Sequence, residues 1–258
     1  MKNFKFIWLS LLLILPILGC GDINRNNNNG NNESGNGDNF TGGGPIITGN
    51  VLGTYDGYDH EFWSNGIATG QMTVGAKGTF QCNWTSNGQG SNILFRSGKR
   101  FGATQPHNQI GNITFTYSAI YNPVSPGQSY LSVYGWTREP LVEYYIVENY
   151  LSGHPGNWNS PTFLGSFTIP GEGTYQVFRT QMNNAPSIDG NGKNFPQYIS
   201  VRTEKRSSGT ISVSKHFDEW AKLGLDMSGS LYEAMMKVEG YNNSGTATLT
   251  QNTLTITK

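Results

Sequence analysis

The chain has 258 residues, no net charge and only 13% charged side chains. Such a balance leaves no electrostatic footprint for nucleic acid or for an anionic lipid surface. With 34 glycines, 13 tyrosines and 6 tryptophans, the composition excludes a helical bundle; it suits many strands joined by tight turns, with aromatic side chains spare for a binding surface.

In chain order, Lys2 and Lys5 precede an apolar run over residues 6–18, a charged n-region followed by a hydrophobic h-region. Residues 1–19 are therefore expected to be a signal peptide. The run is shorter than the roughly 20 residues needed to cross a bilayer. It closes on Ile17-Leu18-Gly19-Cys20, which resembles a bacterial lipobox and implies cleavage before Cys20 and acylation of its thiol; an ordinary secretory peptide is the alternative. Either way the protein is expected on the extracellular face of the cell envelope, lipid-anchored or secreted. With Cys20 acylated, Cys82 has no disulfide partner and reads as a small buried hydrophobe on a strand.

Residues 20–45 are dominated by Asn, Gly, Asp and Ser. They have almost nothing to bury and are expected to form a disordered tether that gives the following domain reach. Residues 46–258 form that domain. Strand signals recur about every 8–12 residues between Gly, Pro and Asn punctuation. They cover 71–74, 78–84, 112–120, 130–136, 142–150, 173–180, 198–206, 209–213, 235–241 and 246–257. One helix is predicted over 214–223, where Phe217 and Trp220 continue an apolar stripe from Val213 and Gly224 is the stop signal. A single helix among about a dozen strands predicts an all-β fold, a two-sheet sandwich or jelly roll.

Period-2 alternation places Tyr130, Ser132 and Tyr134 on one face of their strand, and Glu143, Tyr145 and Val147 on one face of theirs. A face carrying a carboxylate among tyrosines fits a groove that stacks sugar rings on aromatics. Glycoside cleavage requires two carboxyl groups flanking the scissile bond. The acids in strand context are Glu139, Glu143, Glu148, Glu172, Glu204, Glu233 and Glu239, and spacing alone does not choose among them. The four histidines lack the close spacing of a metal site, and the chemistry needs neither metal nor other cofactor.

Three ordered segments choose. Residues 134–145 read YGWTREPLVEYY, residues 185–190 read APSIDG, and residues 238–244 read VEGYNNS. With Gly57-Tyr58-Asp59, Glu61-Phe62-Trp63, the run 92–96, Gln197-Tyr198, Ser200-Val201-Arg202, His216 and Trp220, they closely resemble glycoside hydrolase family 11, the endo-β-1,4-xylanases. The resemblance covers residues 49–258. It implies two strongly twisted antiparallel sheets with one helix and a deep concave cleft, a monomer, and a retaining reaction on xylan through a covalent glycosyl–enzyme. Glu143 matches the nucleophile and Glu239 the acid/base. With Glu143 ionised nearby, Glu239 is expected to keep its proton near neutral pH.

Tyr134 and Tyr145 match tyrosines around the nucleophile, Trp63 a sugar-stacking platform, Tyr130 a cleft tyrosine and Gln197 a cleft amide. Pro186, Ser187 and Ile188 match the tip of a "thumb" loop. Asn92 stands beside the acid/base, where Asn goes with a near-neutral pH optimum. The pattern departs at Met182, where the family usually has an Arg near the nucleophile. Arg179 or Gln181 is the candidate replacement. A jelly-roll β-1,4-glucanase and a non-catalytic carbohydrate-binding surface module are the competing functions.

Overall fold

The computed structural model describes residues 40, 42–157 and 160–258. The segments expected to be a signal peptide, Cys20 and most of a tether lie outside the described residues. Fifteen strands are present among those described. In chain order they begin with β1 (Gly42–Ile47), β2 (Val51–Tyr55), β3 (Tyr58–Ser64), β4 (Ala68–Gly75) and β5 (Phe80–Ser86). Then come β6 (Asn92–Arg100), β7 (Asn112–Val124), β8 (Gln128–Arg138), β9 (Val142–Leu151) and β10 (Thr162–Ile169). The last five are β11 (Gly173–Ser187), β12 (Gly190–Arg202), β13 (Ser208–Ser212), β14 (Ser230–Tyr241) and β15 (Ser244–Thr257).

The all-β expectation holds, with two sheets. One has six strands in the order β1-β4-β5-β15-β7-β13, the other nine in the order β10-β11-β12-β9-β8-β14-β6-β3-β2. Pairing is antiparallel except between β12 and β9. The predicted strands are found, most of them running longer, and five others were not predicted: β1, β2, β3, β6 and β10. β1 starts inside the segment assigned to the tether, where Gly42 pairs with Gly75 of β4, and continues into the domain with Ile46 and Ile47 opposite Thr73 and Met72. Residues 203–206, expected to continue a strand, instead leave the sheet after Arg202.

The core lies between the sheets and is built from side chains of one parity on each strand: Phe62, Phe95 and Tyr144 from the nine-stranded sheet, Phe80, Trp84, Phe115 and Tyr117 from the six-stranded one. Helix α1 is a single turn at His107–Ile110; α2 spans Val213–Lys222, one residue earlier than predicted. Its apolar stripe docks Phe217 edge-on against Tyr144, with ring centroids 5.0 Å apart. Gly224 follows with φ +80°, the left-handed conformation that closes a helix at low steric cost. His216 and Trp220 both contact the hydroxyl of Ser200, at 3.1 and 2.8 Å, locking α2 to β12. The sheet face opposite this core carries the candidate site.

Candidate active site

Cross-strand partners share a face, so the register assembles the site directly. Trp63 pairs with Leu94, Leu94 with Glu239, Glu239 with Tyr130, and Tyr130 with Tyr150, crossing β3, β6, β14, β8 and β9 in one rung. A second rung runs through Arg100, Glu233, Trp136, Glu143, Gln197 and Thr180. Glu143 and Glu239 therefore stand on the same face of the nine-stranded sheet, two strands apart. Gly240 secures the end of β14. A Cβ there would lie 2.4 Å from the Trp84 indole nitrogen, which donates to Asn243 at 3.1 Å.

Glu143 is nearly inaccessible at 8% exposure. Its Oε1 accepts the phenols of Tyr134 at 2.8 Å and Tyr145 at 2.9 Å, and its Oε2 accepts Gln197 Nε2 at 2.6 Å. Trp136 Nε1 donates to the Tyr134 oxygen at 2.6 Å, fixing that phenol in turn. Burial raises the Glu143 pKa above the usual carboxylate range, against the pull of Gln197, Lys237 and the two tyrosines. Burial, with the Glu143 charge, holds both phenols protonated far above their ordinary value.

Glu239 is held differently. Asn92 Nδ2 donates to its Oε1 at 2.9 Å and Lys237 Nζ to its Oε2 at 2.5 Å. An amide has no proton to exchange with a carboxyl, so Asn92 fixes position without joining the titration.

The remaining predicted residues take distinct places. Trp63 is half-buried on the rung of Glu239; Tyr130 is buried there and donates to Gln128 at 3.0 Å. Pro186, Ser187 and Ile188 form the tip of the β11–β12 hairpin. Ile188 packs against the aromatic cluster that holds Tyr134 and Tyr145, while Pro186 is exposed. The Ser187 hydroxyl is used within the turn, accepting Asp189 N at 3.0 Å. Arg138 ties this tip down, reaching Asp189 at 2.6 Å and the Ile188 carbonyl at 3.2 Å.

One expectation needs correcting. Neither Arg179 nor Gln181 replaces the Arg missing at Met182. Both are exposed on the opposite face of β11 from Thr180 and Met182, because adjacent residues on a strand point to opposite sides. Of the seven shortlisted acids, Glu148, Glu172 and Glu233 have structural partners, Glu233 pairing with Arg96 and Arg100. Glu148 is buried on the core side with Tyr117, Tyr175 and Arg206, and Glu172 caps Ser212. Lys237 was missed by sequence reasoning, although its i, i+2 spacing from Glu239 places both on one face.

A model for glycosyl hydrolases family 11 matches residues 55–250. The chain belongs to this family. Among similar family 11 proteins, the endo-1,4-beta-xylanase A of Bacillus pumilus is 45% identical over 210 residues, 81% of this chain and 86% of that protein. The bifunctional xylanase/deacetylase of Pseudobutyrivibrio xylanivorans is 48% identical over 212 residues, covering 81% of this chain. This chain spans only 33% of that relative, and 31% of an endo-1,4-beta-xylanase A of Thermoclostridium stercorarium. The solved family 11 xylanase from Neocallimastix patriciarum superposes with a TM-score of 0.75 at 34% identity, over 83% of this chain and all (100%) of that one.

Proposed function

We propose that this family 11 chain is a retaining endo-1,4-β-xylanase that hydrolyses internal β-1,4-xylosidic bonds of xylan. The observation that carries the proposal is the pair Glu143 and Glu239 on one face, each buried at its base but held by a different donor set. Glu143, with three neutral donors around two oxygens, is preorganised to attack the anomeric carbon as a carboxylate. Glu239, at the other end of the pair, gives a proton to the leaving glycosidic oxygen. A covalent glycosyl–enzyme results, with the charge of Glu143 consumed in the new ester bond. Water then attacks the anomeric carbon, Glu239 takes its proton, and the ester bond breaks to restore Glu143. Such a pair requires a carboxyl separation of about 5–5.5 Å.

The phenols of Tyr134 and Tyr145 stay within reach of the reacting ring, Gln197 orients Glu143, and Trp63 offers an aromatic face upstream on the Glu239 rung. Xylose lacks the hydroxymethyl group of glucose, so a cleft narrowed by the 186–188 tip favours xylan over β-1,4-glucan. Reducing-sugar release is expected from xylan and not from cellulose. Glu143→Gln and Glu239→Gln are each expected to retain xylan binding and lose turnover by several orders of magnitude. Near wild-type turnover in either variant would sink the assignment, and binding without any turnover in the wild type would favour a carbohydrate-binding module. The composition of residues 1–45 supports display from the cell envelope through a lipid on Cys20. Radiolabelled palmitate should enter the wild type and not Cys20→Ser.

A further inference from the structure

Among the described residues, Arg96, Arg100 and Lys237 stand on the same sheet face as Glu143 and Glu239, and the two arginines are committed elsewhere. Arg96 pairs with both Glu61 and Glu233, and Arg100 lies 3.3 Å from Glu61 and 3.5 Å from Glu233. Lys237 is the third. It is fully buried, at 0% exposure, and its partner in the register is Arg96 on one side and Ser132 on the other. Its Nζ donates to Glu239 Oε2 at 2.5 Å. The same nitrogen lies 4.0 Å from the ring centre of Tyr134 and 4.1 Å from that of Tyr145. Those are the two phenols that donate to Glu143 Oε1. One buried ammonium thus touches Glu239 directly and Glu143 through two aromatic faces, which attract a cation through their negative π-surfaces.

We propose that Lys237 is a positioning residue for the reaction, a fixed cation on the floor of the cleft past which the negative charge moves during turnover. The inference rests on the xylanase reading above. In the resting enzyme the charge is on Glu143; after glycosylation Glu143 is a neutral ester and Glu239, having given its proton to the leaving oxygen, carries the charge. Lys237 faces both locations. Its direct bond is to Glu239, so it favours the state after proton delivery and makes the proton easier to give when the leaving group is poor. Met182, at the place where the family resemblance implies an Arg, brings no charge to the pair.

The groups facing Lys237 are Glu239 on its own strand, Arg96 on β6, Tyr134 on β8, and Tyr145 and Glu143 on β9, with Glu61 and Glu233 behind Arg96. Burial pulls the Lys237 pKa down, and Glu239 and Glu143 pull it back up.

The test compares wild type, Lys237→Met and Lys237→Arg on aryl xylobiosides with good and poor leaving groups, across pH. Removing an opposite charge within hydrogen-bond reach of a carboxyl moves its titration up by about one unit or more. In Lys237→Met the alkaline limb of kcat/KM is therefore expected to rise by about one pH unit, and poor leaving groups should lose about tenfold more rate than good ones. Lys237→Arg should restore both. A purely structural role would lower all substrates equally and leave the limbs where they are; that result in a folded Lys237→Met would overturn the proposal. Should Lys237→Met not fold, the wild type carries the test. A 15N resonance of Lys237 Nζ should show a protonated ammonium at the pH optimum that shifts as the carboxyl pair titrates. A neutral amine there would refute the role. Wild type inactive on these substrates and on xylan would instead remove the xylanase reading itself.

Discussion

Replacing Glu143 by Gln should make the protein more stable at neutral pH while abolishing its turnover. The carboxylate accepts three hydrogen bonds, two phenols on Oε1 and Gln197 on Oε2. A glutamine can keep all three. Its carbonyl faces the phenols, and its NH2 faces Gln197, whose buried Oε1 has no partner in the wild type and can turn to accept. What disappears is the buried charge. Burial holds the folded-state pKa of Glu143 above the ordinary carboxylate value. Between the unfolded and folded values the native state binds more protons than the unfolded one, so wild-type stability falls as pH rises through that window. Above it the full penalty is present; below it there is none.

Glu143→Gln lacks the penalty at every pH. Relief of one buried active-site charge is expected to be worth on the order of 1 kcal/mol, within the range of stabilising substitutions that sacrifice function. For a domain of this size that is roughly 2–4 °C in Tm. Calorimetry at pH 7 should show the gain, and at a pH below the ordinary carboxylate value the two proteins should melt together. Turnover on xylan should drop on the order of 10⁴-fold or more. A variant destabilised equally at both pH values would refute the reasoning, because the hydrogen bonds would then outweigh the charge.

Three other perturbations separate parts of the structure. Arg138→Ala cuts the tie to Asp189, a pair more than a third exposed on the Arg side, so its stability cost should stay below about 1 kcal/mol; hydrogen exchange across residues 183–191 should accelerate, and unchanged exchange would show that the tip is held by Ile188 packing alone. Asn92→Asp puts a titratable carboxyl at the place of the amide 2.9 Å from Glu239, and the pH optimum should move to the acid side of the near-neutral optimum expected for Asn92. His216 is buried with its pKa lowered to about 3, so the folded state prefers the neutral ring. Its stabilising contribution is complete above the unfolded value near 6.5 and is lost as pH falls toward 3, by at most about 1.4 kcal/mol per pH unit. His216→Phe, which keeps ring contacts with Tyr175 and Phe167, should show a shallower loss of Tm between pH 6.5 and 4.

Strands with clean alternation and Gly or Pro at their ends were legible in the sequence. β9 was placed to within a residue, and α2 likewise, because Val213, Phe217 and Trp220 make a stripe that only a helix can bury together. β6 carries three cations, Arg96, Lys99 and Arg100, and Arg96 is accommodated in the strand only because Glu61 and Glu233 reach it from β3 and β14. β1 escaped because Gly42-Gly43-Gly44-Pro45 has no strand propensity, and its pairing with β4 comes from outside the segment.

The sequence by itself determined the all-β class, the family resemblance and which two glutamates to follow, since periodicity and motif order are local properties. Lys237 was different. A lysine on a strand is ordinarily solvated, and nothing near it in the chain says that Tyr134, Tyr145 and Glu143 will close over its ammonium. Only the tertiary structure decided that, because a charge is buried or exposed according to what distant strands bring against it.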